Sequence, residues 1–243
     1  MRRFVVALIV MSPLLARADR KSFSYTYEYA TLPEGQTEVE LWHTQARDTW
    51  QASTAERFEE KLEIEHGITD HWDMSMYTVL AQSTDEAFHL DAARLESRYR
   101  FADRGEWPVD TVGYLEVAKD FDASIYEIEA KGIFARDFDK VTVAGNVIGE
   151  VAFGKNVSGT DLSIGWAAGA TYEVNPKVRL GVESWGAHEE GTVRWAVGPA
   201  LSLAPSSKFW LVTTAGFGVG DTFASDDFAG EAFSARVIMG LEL

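Results

Sequence analysis

The sequence predicts an all-β protein, an antiparallel up-and-down transmembrane β-barrel of about twelve strands, with roughly fourteen as the alternative. Segments that alternate apolar and polar residues recur along the chain, and no later apolar run is long enough for a membrane helix. From Asp161 to Val174, for example, Leu162, Ile164 and Trp166 alternate with small residues. The second face of these segments carries glycines and charges, so we expect it to line a polar lumen while the apolar face meets lipid.

The first residues predict an export signal. Arg2 and Arg3 precede an apolar run from Phe4 to Leu15, and Ala16 and Ala18 are the small residues that a signal peptidase reads. The run is too short to cross a bilayer as a helix. We therefore expect residues 1–18 to be a signal peptide cleaved after Ala18, and the mature chain to lie in the outer membrane.

Charge and cysteine content exclude other classes. Loss of residues 1–18 removes three arginines and no acid, so the formal charge goes from −16 to −19. Such an acidic chain does not suit nucleic acid, whose phosphates need clustered Lys and Arg. The chain has no cysteine, so strand pairing and closure must hold an exported protein together without disulfides.

A lead-in of residues 19–35 precedes the predicted barrel of residues 36–243. Its Tyr-rich part, Ser22–Thr31, is either an extra wall strand or a segment inside the lumen. Short turns between strands are expected on the periplasmic side and longer polar links outside the cell; the link Ala102–Pro108 is too long for its side. The predicted strands are Gln36–Gln45, Arg57–His66, His71–Gln82, Phe88–Phe101, Thr111–Phe121, Ser124–Phe138, Val141–Phe153, Asp161–Val174, Val178–Gly186, Val193–Leu203, Phe209–Val219 and Ala232–Leu243.

The opening of the mature chain resembles an uncharacterised family of Gram-negative outer-membrane barrel proteins. In that family a Tyr-rich segment leads into Thr-Leu-Pro-x-Gly and an acidic strand that ends in Trp. Here the motif is Thr31, Leu32, Pro33 and Gly35, then Glu38, Glu40 and Trp42, and the stretch Ile64–Asp70 resembles the strand and turn that follow. The resemblance implies a barrel of about twelve strands and brings no substrate or catalytic residue.

Charge on the inferred lumen face is the strongest functional signal. Acids and bases recur at lumen positions, where opposed walls of Glu and Arg would select a small charged solute. Alternatively, the same side chains interlock across a narrow bore and close it. The residues we assign to selectivity are Glu63, Glu65, Arg98, Arg100, Glu127, Glu129 and Arg194.

Other chemistry has weaker support. Most aromatic residues fit interface girdles, although Trp42, Tyr114, Trp185 and Trp210 would form a sugar track if they lined the lumen. His89 with Asp91, and His188 with the acids after it, are the candidates for a barrel hydrolase. The acids of the link Gly220–Gly230 are the candidates for divalent ions.

We therefore expect a narrow, charge-selective channel or passive transporter for small solutes, with no catalytic site, metal or cofactor. Its expected partners are outer-membrane lipid, lipopolysaccharide, a small polar solute and the machinery that inserts barrels. The final strand resembles a C-terminal insertion signal, but it ends in Leu243 where an aromatic residue is usual. The alternatives are a non-conducting structural or adhesive barrel that acts through its outer loops, and a barrel hydrolase.

Overall fold

Twelve antiparallel strands form one closed barrel. The structure, a computed structural model, describes residues 20–47, 56–84, 86–121, 124–154, 161–189, 192–219 and 232–243. Within these ranges no helix is long and apolar enough to span a membrane. The strands are β1 (Thr37–Arg47), β2 (Glu56–Thr69), β3 (Trp72–Ser83), β4 (His89–Arg100), β5 (Asp110–Asp120), β6 (Ile125–Phe138), β7 (Val141–Gly154), β8 (Asp161–Asn175), β9 (Val178–Glu189), β10 (Thr192–Leu203), β11 (Phe209–Gly218) and β12 (Phe233–Glu242).

Each strand pairs with its neighbours in the chain, and β1 closes the barrel on β12. The predicted fold class is confirmed, and twelve strands rather than fourteen form the wall. We call the end that carries the turns at 70–71, 139–140 and 176–177 the turn end, and the other the loop end. The link after β4, residues 101–109, is the longest at the turn end.

The outer surface is apolar in its middle and aromatic at its edges. Mid-strand side chains such as Met76, Leu115 and Val147 are 63%, 51% and 61% exposed, which a water-soluble β-protein would avoid. Exposed rings lie towards the turn end at Tyr99 and Tyr172. Near the loop end, Tyr126 stacks on Phe153, with their centroids 5.9 Å apart. This arrangement matches the lipid-facing surface of a membrane barrel.

The described part of the lead-in, residues 20–35, forms no strand and lies inside the barrel. It enters at the turn end, where Arg20 donates to Pro176 O (2.9 Å), and returns there, where Thr31 Oγ1 donates to Asp70 O (3.0 Å). Along its length, from Lys21 to Leu32, it contacts β10 and β3, which lie on opposite sides of the wall. The wall thus contains twelve strands because Ser22–Thr31 is not one of them.

The turn that joins the lead-in to β1 packs against a bare stretch of β2. Gly35 has φ = +78°, and its N–H donates to Gly67 O at 2.9 Å. A Cβ on Gly67 would lie 2.0 Å from Pro33 O, so only glycine lets the two backbones approach this closely. The Pro33–Gly35 turn and Gly67, which both belong to the motif noted in the sequence, therefore contact each other directly.

Candidate functional site

Glu183 makes several of the hydrogen bonds that hold the lead-in in the lumen. Glu183 of β9 is 1% exposed and accepts the consecutive backbone N–H groups of Ser24, Tyr25 and Thr26, each at 2.8 Å. The hydroxyl of Thr214 also donates to it. Hydrogen bonds to a charged acceptor are stronger than neutral ones, so Glu183 fixes the innermost turn of the lead-in.

Asn146 of β7 binds the backbone of Tyr27 through one donor and one acceptor, as a neighbouring strand would. Its Oδ1 accepts from Tyr27 N–H at 2.7 Å, and its Nδ2 donates to Tyr27 O at 2.9 Å. Lys131 Nζ lies 4.2 Å from the Tyr27 ring centroid and 4.0 Å from that of Tyr114. The amide pair and the cation–π contacts fix this part of the lead-in against β5–β7.

Aromatic packing fills the rest of this level. Tyr25 stacks on Trp185, with centroids 3.7 Å apart and planes 6° apart, and Arg236 Cζ lies 4.1 Å over the Tyr25 ring. Phe23 packs on β8 where the wall is bare, because a Cβ on Gly169 would lie 2.5 Å from the Phe23 ring. The lead-in thus fits the wall in shape as well as in hydrogen bonding.

Lys21 places an ammonium in an acidic and aromatic pocket. Its Nζ lies 2.6 Å from Glu40 Oε2, and 4.8 Å and 5.7 Å from the ring centroids of Trp42 and Trp210. Burial lowers the pKa of Lys21, but attraction to the carboxylates, Glu40 first among them, outweighs it and raises the pKa above its ordinary value. The lead-in therefore carries a stable positive charge into this part of the lumen.

Arg98 of β4 is the centre of a buried ion-pair network. It is 5% exposed, donates to Asp73 through Nε at 3.0 Å and Nη2 at 2.8 Å, and pairs with Glu65. Its Nε also lies 3.4 Å from Glu96 Oε1. Asp73 is shared with the lead-in, since its Oδ2 accepts Leu32 N–H at 2.9 Å. Removing Arg98 would leave three buried carboxylates without their cation.

Towards the loop end the ion pairs are more open. Arg94 pairs with Glu116 at 2.6 Å and Glu127 at 3.2 Å, and Lys131 pairs with Glu129 at 2.7 Å. Glu116 is buried like Arg98, but the side chains of Arg94, Glu127, Lys131 and Glu129 are more exposed than that of Arg98. This half of the lumen is a charged vestibule above the lead-in.

Three solved outer-membrane barrels have folds similar to that of this chain. The COG4313 outer membrane channel from Pseudomonas putida F1 superposes with a TM-score of 0.67 at 12% identity, covering 88% of this chain and 98% of that one. The NanC porin gives 0.58 at 10% identity, covering 85% and 100%. The KdgM porin in complex with disordered oligogalacturonate gives 0.58 at 11% identity, covering 85% and 99%.

These similarities establish the fold alone, because sequence identities of 10–12% do not support an inference of shared function. Neither a protein-family model nor a curated protein sequence matches the chain.

The structure separates the residues assigned to selectivity into groups. Glu63 and Glu65 lie buried beside Arg98 and the lead-in, whereas Glu127 and Glu129 line the vestibule. Arg100 lies at the turn end, where it donates to Asp70 O and its Cζ is 5.5 Å from the Tyr29 ring centroid. The backbone of Arg194 pairs with Ala187, but the prediction for its side chain lies outside the described part. Their role in selectivity stays a prediction.

The aromatic residues proposed from the sequence as a sugar track do lie in the lumen, but their rings are in contact with other side chains of the protein. Trp42, Tyr114 and Trp210 are buried under Lys21, Lys61, Lys131 or Arg236. Their faces are thus covered by the protein's own cations. This arrangement does not form the exposed track that a sugar chain needs.

The residues proposed for a barrel hydrolase or a metal site do not form such a site in the described part of the structure. His89 Nε2 lies 4.0 Å from Asp91 Oδ1, while His188 is exposed on the outer face of β9. Among the described residues no group of three or more His, Asp or Glu could hold a metal ion. The acids of Gly220–Gly230 lie outside the described residues.

Sequence reasoning missed Lys21, Asp73 and Asn146. Asn146 is the one amide side chain of β7 and stands on its lumen face, where an amide offers one donor group and one acceptor, as a backbone peptide does. Lys21 carried no such signal, because its partners lie on strands whose register the sequence does not give.

We expect Glu183→Gln to loosen the lead-in. The amide Nε2 cannot accept an N–H, so at least one of the three backbone donors loses a hydrogen bond to a charged group. A Thr26→Cys reporter suits the test, since the Thr26 side chain is 3% exposed and its hydroxyl has no hydrogen-bond partner. With no native cysteine, maleimide labelling should accelerate about tenfold or more in the Glu183→Gln background. Glu60→Gln, on the outer face beside His43, is the control; equal labelling rates would contradict the assignment.

Proposed function

We propose that this chain is an outer-membrane channel through which small solutes pass passively. The observation that carries the proposal is the combination of an apolar, aromatic-edged outer surface with a charged lumen that retains space beside the lead-in. A barrel with such a surface is stable only in lipid, and closure leaves no unpaired strand edge. The short turns favour the turn end as the periplasmic side.

The passage we propose is narrow. A cavity of about 30 Å³ lies between the lead-in and the wall, lined by residues such as Lys21, Tyr25, Glu38 and Arg98. Twelve-stranded walls lie between barrels filled by side chains and wide porins, and here the lead-in takes up further room. We therefore expect ions and small polar solutes to pass and large oligosaccharides to be excluded.

An acidic saccharide is not the solute that this lumen favours. The KdgM porin was solved with disordered oligogalacturonate, but the lumen here has glutamates directly opposite each other on neighbouring strands. In the network around Arg98, one guanidinium serves three carboxylates. A polyanion would be repelled by such a wall.

Planar-bilayer recording tests the channel. The mature chain from residue 19 onward, refolded and checked by its heat-modifiable migration on gels, should give steady single-channel steps well below those of roughly sixteen-stranded porins. Liposome swelling should fall off sharply as the size of a neutral sugar increases. A silent bilayer with folded protein would refute the channel and favour a structural barrel that acts through its loops, since the lead-in already occupies the lumen.

A further inference from the structure

One row of glutamates crosses the wall in the direction of the interstrand hydrogen bonds. In the strand register, Glu242 lies opposite Glu38, and Glu38 lies opposite Glu65. Ser75 stands between Glu65 and Glu96, after which Glu96, Glu116, Glu129 and Glu150 follow as directly opposed pairs. We call the set the glutamate row: Glu242, Glu38, Glu65, Ser75, Glu96, Glu116, Glu129 and Glu150.

The row connects the two ends of the barrel. Barrel strands are tilted by about 35–45°, so a line at right angles to them climbs along the barrel axis. Glu38 is the second residue of β1, at the turn end, and Glu150 lies four residues before the loop end of β7. The carboxylates, interrupted only at Ser75, thus rise obliquely through the lumen rather than forming a ring at one height.

The glutamate row lowers the stability of the sheet, and basic side chains neutralise only part of its negative charge. Like charges directly opposite each other destabilise a sheet. Arg98, Arg94 and Lys131 pair with members of the row. Glu38 and Glu150 make no ion pair with a lysine or arginine of the described residues. A wall that needed only a polar lumen would not require directly opposed glutamates.

Separate observations indicate that a cation fits beside the row. The empty space next to the lead-in is lined by Glu38, Glu40 and Glu65. In the same region Glu40 Oε1 is buried without a hydrogen-bond partner, as is the hydroxyl of Ser75 in the row itself. The chain's own ammonium, on Lys21, already lies there, 2.6 Å from Glu40 and facing two tryptophan rings. Carboxylate oxygens and ring faces are the groups that bind a small monovalent cation.

We infer that the channel selects small monovalent cations and that they move along the glutamate row. The inference rests on the proposed function and adds its substrate class. Each cation exchanges one carboxylate for the next, and the bases beside the row keep any single position from binding too tightly for release.

Reversal potentials in a KCl gradient test the inference. Wild-type protein should pass K⁺ in preference to Cl⁻, and Glu38→Gln/Glu150→Gln should lower the permeability ratio about threefold or more, because each change removes from the path a carboxyl group that no described lysine or arginine pairs with. The amide oxygen that Glu38→Gln introduces can still accept the Trp210 N–H, which Glu38 now accepts at 2.9 Å. The matched control is Glu34→Gln/Glu60→Gln, which removes the same charge from the turn before β1 and from the outer face.

The outcomes separate the two proposals. Steady conductance without cation preference in the wild-type protein would overturn the inference and leave the channel standing. An equal fall of the ratio in both double variants would overturn the row, since net charge alone would then explain selectivity. A folded but silent protein would overturn both proposals.

Discussion

Deleting residues 20–30 is expected to raise the single-channel conductance about threefold to tenfold. These residues run from the turn end to the middle of the lumen and back, and they occupy part of the space between opposite walls. Their loss leaves the strands and the turn at Pro33–Gly35 intact. Conductance steps in a planar bilayer measure the change.

A peptide of residues 20–31 is the control for this deletion. Because both ends of the lead-in lie at the turn end, the peptide should block the shortened channel when added from the turn side and have little effect from the loop side. Unchanged conductance in a folded deletion variant would mean that solutes do not pass where the lead-in lies.

Replacing Arg98 with methionine is expected to lower the free energy of unfolding by about 3–5 kcal/mol. The change keeps much of the length of the side chain but leaves Glu65, Asp73 and Glu96 buried without their shared cation. Urea titration in lipid or detergent, followed by tryptophan fluorescence, measures the loss.

Arg104→Met is the matched control. Arg104 pairs with Asp137 at 2.9 Å, but the side chains are 50% and 38% exposed, so water screens the pair and its loss should cost about 0–1 kcal/mol. Similar losses in the two variants would show that burial of the Arg98 network adds nothing.

The strands and their faces could be predicted because a period of two is a local property of the sequence. Every predicted strand overlaps one in the structure, and the predicted lumen position of Glu63 is also its position in the barrel. The uncertain segment Ser22–Thr31 was different. Its tyrosines alternate like those of a strand, yet its backbone is satisfied by side chains such as Glu183, which is 159 residues from Ser24 in the chain.

The glutamate row could not be found from sequence for a related reason. Which residue of one strand lies opposite which residue of the next depends on register, and a shift of two residues would keep every lumen face while placing Glu129 opposite Ala118 or Tyr114 rather than Glu116. The charges of the lumen were therefore predictable, but their order along the pore was not.

The path of the lead-in also constrains how the molecule assembles. Since the lead-in enters and leaves the barrel through the same end, it does not pass through the whole lumen, and no strand has to be threaded past it. The twelve strands are able to close first and the lead-in to dock afterwards from the turn side. On that route the lead-in, which is synthesised before the strands, reaches its place last, and the closed barrel is unblocked until the lead-in docks.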